Sequence, residues 1–92
     1  MMYVFKLNER DFVVTEEILF IMERNYHKEV KVERIGKRVR LTASKQLVKT
    51  FVNDQIYTSG EINWTKAAKE AIAFIIEDAT CAFVHTLRIL TE

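Results

Sequence analysis

The sequence predicts one α+β domain over residues 1–92, built around a central β-hairpin packed against helices. Three observations predict it. Two β-rich runs flank Gly36 between Glu29 and Ala43. Apolar residues recur at helical spacing on both sides of that pair. The chain has no proline and only two glycines, so regular elements should fill most of it and loops should be short.

At the N-terminus, Tyr3, Phe5 and Leu7 alternate with Val4 and Lys6, which predicts a strand. A helix is expected from about Thr15 to Tyr26. Thr15 is its N-cap, and Glu16 and Glu17 occupy the first turn, where the helix dipole favours negative charge. Ile18, Ile21, Met22 and Tyr26 share one face.

The hairpin follows. With Gly36 and Lys37 as a two-residue turn, glycine first, Ile35 pairs with Arg38. Counting outward places Val32 opposite Leu41, Val30 opposite Ala43, and Glu33 opposite Arg40 on the other face. The apolar residues Val30, Val32, Val39 and Leu41 should point inward. Lys31, Glu33, Arg38 and Arg40 should face solvent.

Ser44 offers an N-cap for a second helix with the apolar stripe Leu47, Val48, Phe51, Val52 and Ile56, ended by Ser59-Gly60. A third helix begins near Asn63 or Thr65 and turns Ala68, Ala71, Ile72 and Ile75 inward. The C-terminal segment permits two readings. Cys81, Phe83, His85, Leu87 and Ile89 alternate as a strand would, while Ile72, Ile76, Ala79, Phe83, Leu87 and Leu90 keep helical spacing. The β-branched Val84, Thr86 and Ile89 favour a strand over 79–90. The expected order is β-α-β-β-α-α-β.

Composition narrows the function classes. A hydrophobic fraction of 49% with 29% charged residues is a globular mixture, and a net charge of +1 argues against a histone-like binder and against an acidic nucleic-acid mimic. Met1 to Leu7 does not read as a secretory leader, and no apolar run approaches the roughly 18 residues of a membrane span. Cys81 is the one cysteine, so an internal disulfide is impossible and a reducing, cytoplasmic setting is expected.

Catalytic and metal chemistry find no support. Cys81 and His85 share a face in either reading, but zinc needs three or four ligands, and only His27 and scattered acids remain. A buried cysteine beside a histidine is the simpler account. Glu16-Glu17 and Glu77-Asp78 are sequence neighbours, which suits helix ends better than acid–base pairs. Gly36 and Gly60 stand alone, so no phosphate-cradling loop is present. No cofactor and no small-molecule substrate are expected, and the chain is read as a binding protein rather than an enzyme.

The basic residues offer the functional lead. Arg34, Lys37, Arg38 and Arg40 lie on the hairpin, Lys45 and Lys49 one turn apart on the second helix, and Lys66 and Lys69 on the third. Together they could neutralise several phosphates, with arginine forks binding bidentately. The alternative is a solvated polar face in which Glu33 neutralises Arg40 and Glu29 neutralises Lys31. Trp64 reads as a core residue rather than a base-stacking one, and Tyr3, Tyr26 and Tyr57 as boundary residues.

Three stretches resemble the eukaryotic large-subunit ribosomal protein twenty-two family. They are Phe20-Ile21-Met22-Glu23-Arg24, then Val30-Lys31-Val32-Glu33-Arg34 with Val39-Arg40-Leu41-Thr42, and Lys45 through Lys49 to Trp64. The segment Phe83 to Ile89 is similar to the family's closing strand. The resemblance implies a ribosomal RNA-binding protein of the large subunit, in contact with ribosomal RNA and neighbouring ribosomal proteins. Asn53, Asp54, Tyr57 and Thr58 stand where the family's second helix is basic, which shifts the implied surface toward the hairpin. The first rival expectation is a protein-interaction module or small viral-type inhibitor, working on a protein partner or as a homodimer, and the second is a small RNA-binding domain outside the ribosome.

Overall fold

The computed structural model describes residues 1–53 and 63–91. Their order is β1 (Met2–Leu7), β2 (Arg10–Thr15), α1 (Glu16–Asn25), β3 (Val30–Ile35), β4 (Arg38–Ala43), α2 (Lys45–Asn53) and α3 (Trp64–Thr91). The class is α+β, and two antiparallel hairpins, β1–β2 and β3–β4, form separate two-stranded sheets packed against helices. A lone hairpin is marginal in water, so each depends on the helices that cover its inner face.

The β3–β4 hairpin has the expected register, with Ile35 opposite Arg38, Glu33 opposite Arg40, Val32 opposite Leu41 and Val30 opposite Ala43. Gly36 adopts φ +61°, as a glycine-first turn requires. Val30 is fully buried, and Val32, Val39 and Leu41 are half-buried against the core. Both expected caps form. The Thr15 hydroxyl accepts the Ile18 N–H at 3.3 Å, and the Ser44 hydroxyl accepts the Leu47 N–H at 3.1 Å. The side-chain carbonyl of Asn63 caps α3 by accepting the Lys66 N–H at 3.0 Å. The expected helix end at Ser59-Gly60 lies outside the described residues, as does Tyr57.

Two elements depart from the expected order. The first is β2, which pairs with β1 from Leu7 opposite Arg10 to Met2 opposite Thr15. Asn8 and Glu9 make its turn with φ 51° and 67°, both in the left-handed region. A turn with two positive φ values usually announces itself by Asn-Gly, and Glu9 in the glycine position hides the hairpin.

The second departure is the C-terminus. No closing strand forms over 79–90, and α3 runs unbroken from Trp64 to Thr91. Ala71, Ile72, Ile75, Ile76 and Ala79 are buried along it, and Phe83 packs at the edge of the same cluster. No breaker interrupts that stripe, and extending an existing helix costs far less than nucleating a new element. The β-branched threonines are accommodated because Thr80 and Thr86 donate their hydroxyls to the carbonyls of Ile76 (2.7 Å) and Ala82 (2.9 Å).

The main core joins Leu7, Val14, Ile18, Leu19, Met22 and Val30 to the middle of α3. A smaller cluster of Val48, Val52 and Ala67, with Ala43 and Ala68 against it, seats α2 on the start of α3. Polar tethers run along α3. The Asn8 amide donates to the Lys66 carbonyl (3.0 Å) and the Glu70 carboxylate (2.8 Å), Arg10 pairs with Glu77, and the Tyr26 hydroxyl donates to Asp78. Glu77 and Asp78 therefore sit inside a helix, not at an end, and each holds a different element.

Candidate nucleic-acid interface

Alternation along β3 and β4 gives the second hairpin two chemically distinct faces. Val30, Val32, Val39, Leu41 and Ala43 face the helices. Lys31, Glu33 and Ile35 on β3, with Arg38, Arg40 and Thr42 on β4, form the outer face, and all but Glu33 are exposed. Arg38 and Arg40 make no ion pair among the described residues, and Glu33 lies 4.0 Å from Lys31 rather than on Arg40. Lys37 extends this face at the turn.

Arg34 does not belong to it. Pairing with Val39 puts Arg34 on the inner face, where it reaches over to α1. Its guanidinium donates to Glu23 at 2.5 Å and to Glu16 at 3.0 Å. These two carboxylates, Glu23 first, raise the Arg34 pKa. Glu16 is correspondingly held below its ordinary value, first by the Tyr3 hydroxyl, which donates at 2.6 Å, and then by Arg34. Arg34 thus ties the hairpin to α1, and its charge is already matched.

The remaining cations fall into two further places. Lys45 and Lys49 line a groove of about 330 Å³ with Ala43, Val48, Trp64 and Ala68. Lys66 and Lys69 line another, beside the β1–β2 turn, with Asn8, Glu9, Asn63 and Thr65. At 3.6 residues per turn, Lys66 and Lys69 sit roughly 140–160° around α3 from Trp64, so they serve a different side of the helix. The length of β4 alone, about 20 Å, separates the hairpin tip from Lys45. The eight expected residues are therefore an outer hairpin face, a groove at α2, a pair by the first turn, and one inward tether.

Trp64 corrects the expectation of a core residue, since it is 52% exposed. Its helical phase does match Ala68 and Ala71, but at the first turn of α3 it borders the groove with Ala43, Val48 and Ala68 instead of entering the main core. Cys81 is also exposed rather than buried and is a free thiol, lining a shallow apolar depression with Thr80, Val84 and His85. Among the described residues no group of three or more histidine, cysteine or acidic side chains is placed to hold a metal ion. None of the described helices is long and apolar enough to cross a membrane.

Comparison with protein-family models, curated proteins and solved structures finds no match to this chain.

Proposed function

We propose that this protein binds RNA, without catalysis, through the outer face of the β3–β4 hairpin. The observation that carries the proposal is that face itself. Lys31, Lys37, Arg38 and Arg40 are exposed on that face, and among the described residues no helix covers it and Glu33 is its one acid. Alternate residues on a strand project from one side at regular intervals, so Arg38 and Arg40 can engage neighbouring phosphates as bidentate forks. Lys45 and Lys49 follow β4 in the chain and form a second positive place at the α2 groove.

The resemblance described above points to the large ribosomal subunit as the assembly, and so to the cytoplasm. The helical C-terminus removes one of the stretches on which that resemblance rests, and the hairpin stretches support it best. The test is whether the native protein co-sediments with large ribosomal subunits and is released by a salt wash. Retention at low salt with release at high salt supports the reading. Absence from the particles, with no RNA affinity of the purified protein at low salt, refutes it.

A second reading, a protein-interaction module, is favoured by the outer face of the first hairpin. Met2, Val4 and Val13 are exposed there side by side. Exposed apolar patches mark protein contacts more often than nucleic-acid ones. Analytical ultracentrifugation distinguishes it: a dimer lacking RNA affinity selects this reading.

A further inference from the structure

We infer that the groove between α2 and the start of α3 is a subsite for an unpaired base of single-stranded RNA, stacked on Trp64 with its flanking phosphates on Lys45 and Lys49. The inference rests on the RNA-binding reading and adds to it the strand state that is recognised. The groove has an apolar floor of Ala43, Val48 and Ala68, a tryptophan on its edge, and two lysines along α2. No acidic side chain lines it among the described residues. Neither lysine is ion-paired there, and the indole makes no ring, cation or hydrogen-bond contact among the described residues.

Each part has a chemical reason. An indole that is half exposed offers a flat face to any base, because every base has a π-face, and stacking tolerates sequence. Lys45 and Lys49 lie one turn apart on α2, so they can follow a backbone that passes the ring. A base held in a duplex cannot reach such a groove without leaving its stack, so the site selects single strands, loops or junctions. An acidic peptide could satisfy the lysines but would leave the indole face without a planar partner. The hairpin's outer arginines, Arg40 and Arg38, lie about 10 and 17 Å along β4 from Ala43 at the groove, so a loop base could occupy the groove while its stem lies on the hairpin.

The experiment titrates the full chain with oligoadenylate RNA and with a duplex RNA of equal length. The fluorescence of Trp64, the chain's one tryptophan, reports the groove, and anisotropy of labelled RNA reports affinity. The single strand should quench Trp64 saturably, and the duplex should bind without quenching it. Trp64→Ala should weaken oligoadenylate binding by about 5- to 150-fold, as expected for one lost base stack, while leaving the salt dependence unchanged. Trp64→Phe should retain most of the affinity, which separates stacking from a folding defect. Lys45→Ala and Lys49→Ala should each lower the salt slope by about 0.7 for the single strand. If Trp64→Ala binds oligoadenylate as tightly as the parent, the groove is not a base site, although the hairpin reading stands provided duplex RNA still binds. If the parent binds neither RNA at low salt, both readings fall.

Discussion

Truncating Leu19 tests how α1 is seated. The helical stripe in the sequence names Ile18, Ile21 and Met22 but not Leu19, yet Leu19 is 0% exposed and Ile21 only half-buried. Its neighbour Phe20 is 58% exposed, with the Arg24 guanidinium 5.4 Å from the ring centre. Leu19→Ala removes three carbons from the core, about 2.4 kcal/mol at about 0.8 kcal/mol each. The cavity left behind raises the cost to about 3–5 kcal/mol. A domain of this length has about 5–14 kcal/mol to lose, so the variant should fold but melt far earlier. At a urea slope of about 1.5 kcal/mol per molar, the midpoint should fall by about 2–3 M. Phe20→Ala loses a partly solvated ring and an exposed cation–π contact, together about 1 kcal/mol, and its midpoint should move by less than about 0.7 M. Equal shifts, or a larger one for Phe20, would refute the seating of α1.

The ionisable groups yield two further expectations. Glu16 and Glu17 are held below their ordinary value of 4.5, Glu16 chiefly by the Tyr3 hydroxyl and Glu17 chiefly by its own backbone N–H and then by Thr15. Depressed folded values mean that the unfolded chain binds more protons, so this stability is present above pH 4.5 and is lost as pH falls through the folded values. Denaturant melts in acid should show it, and Tyr3→Phe should lose less stability on acidification than the parent; an identical loss would exclude the Tyr3 hydroxyl as the cause. Tyr26 is pushed up to about 12 by its hydrogen bond to Asp78, so its contribution is complete below pH 10 and lost as pH rises toward 12. Tyrosinate absorbance should reveal a late-titrating group that Tyr26→Phe lacks, and a phase that persists in the variant would contradict the assignment.

Much of the second hairpin was legible because its register follows from one glycine. Gly36 with a two-residue turn sets every pair from Ile35–Arg38 to Val30–Ala43. The same count contains Arg34's inward face, since Arg34 has the same parity as Val32 and Val30, and Glu16 and Glu23 stand two helical turns apart on α1 to receive it. Reading Arg34 by its charge rather than by its parity hid that role. The first hairpin was illegible for a local reason, the left-handed Glu9, which a glycine-seeking rule passes over. The C-terminal segment carried both periods at once, and the outcome rested on tertiary contacts. The buried stripe from Ala71 to Ala79 fixes the helix and outweighs the modest strand propensity of Val84 and Thr86. Trp64 shows the reverse limit, since its residue type suggested burial but could not say whether anything covers it.

The claim that RNA is held on the outer face of the second hairpin is tested most directly by the salt dependence of binding. Duplex RNA is titrated against the parent, Arg38→Ala, Arg40→Ala and Arg34→Ala at several salt concentrations. On the present account Arg38→Ala and Arg40→Ala each weaken binding with little regard to sequence and lower the salt slope by about one or slightly less, as one lost phosphate contact requires. Arg34→Ala, whose guanidinium faces Glu16 and Glu23, leaves the slope unchanged and lowers only the melting temperature. A parent that binds no RNA at low salt, or a slope that falls for Arg34→Ala but not for Arg38→Ala and Arg40→Ala, would contradict it.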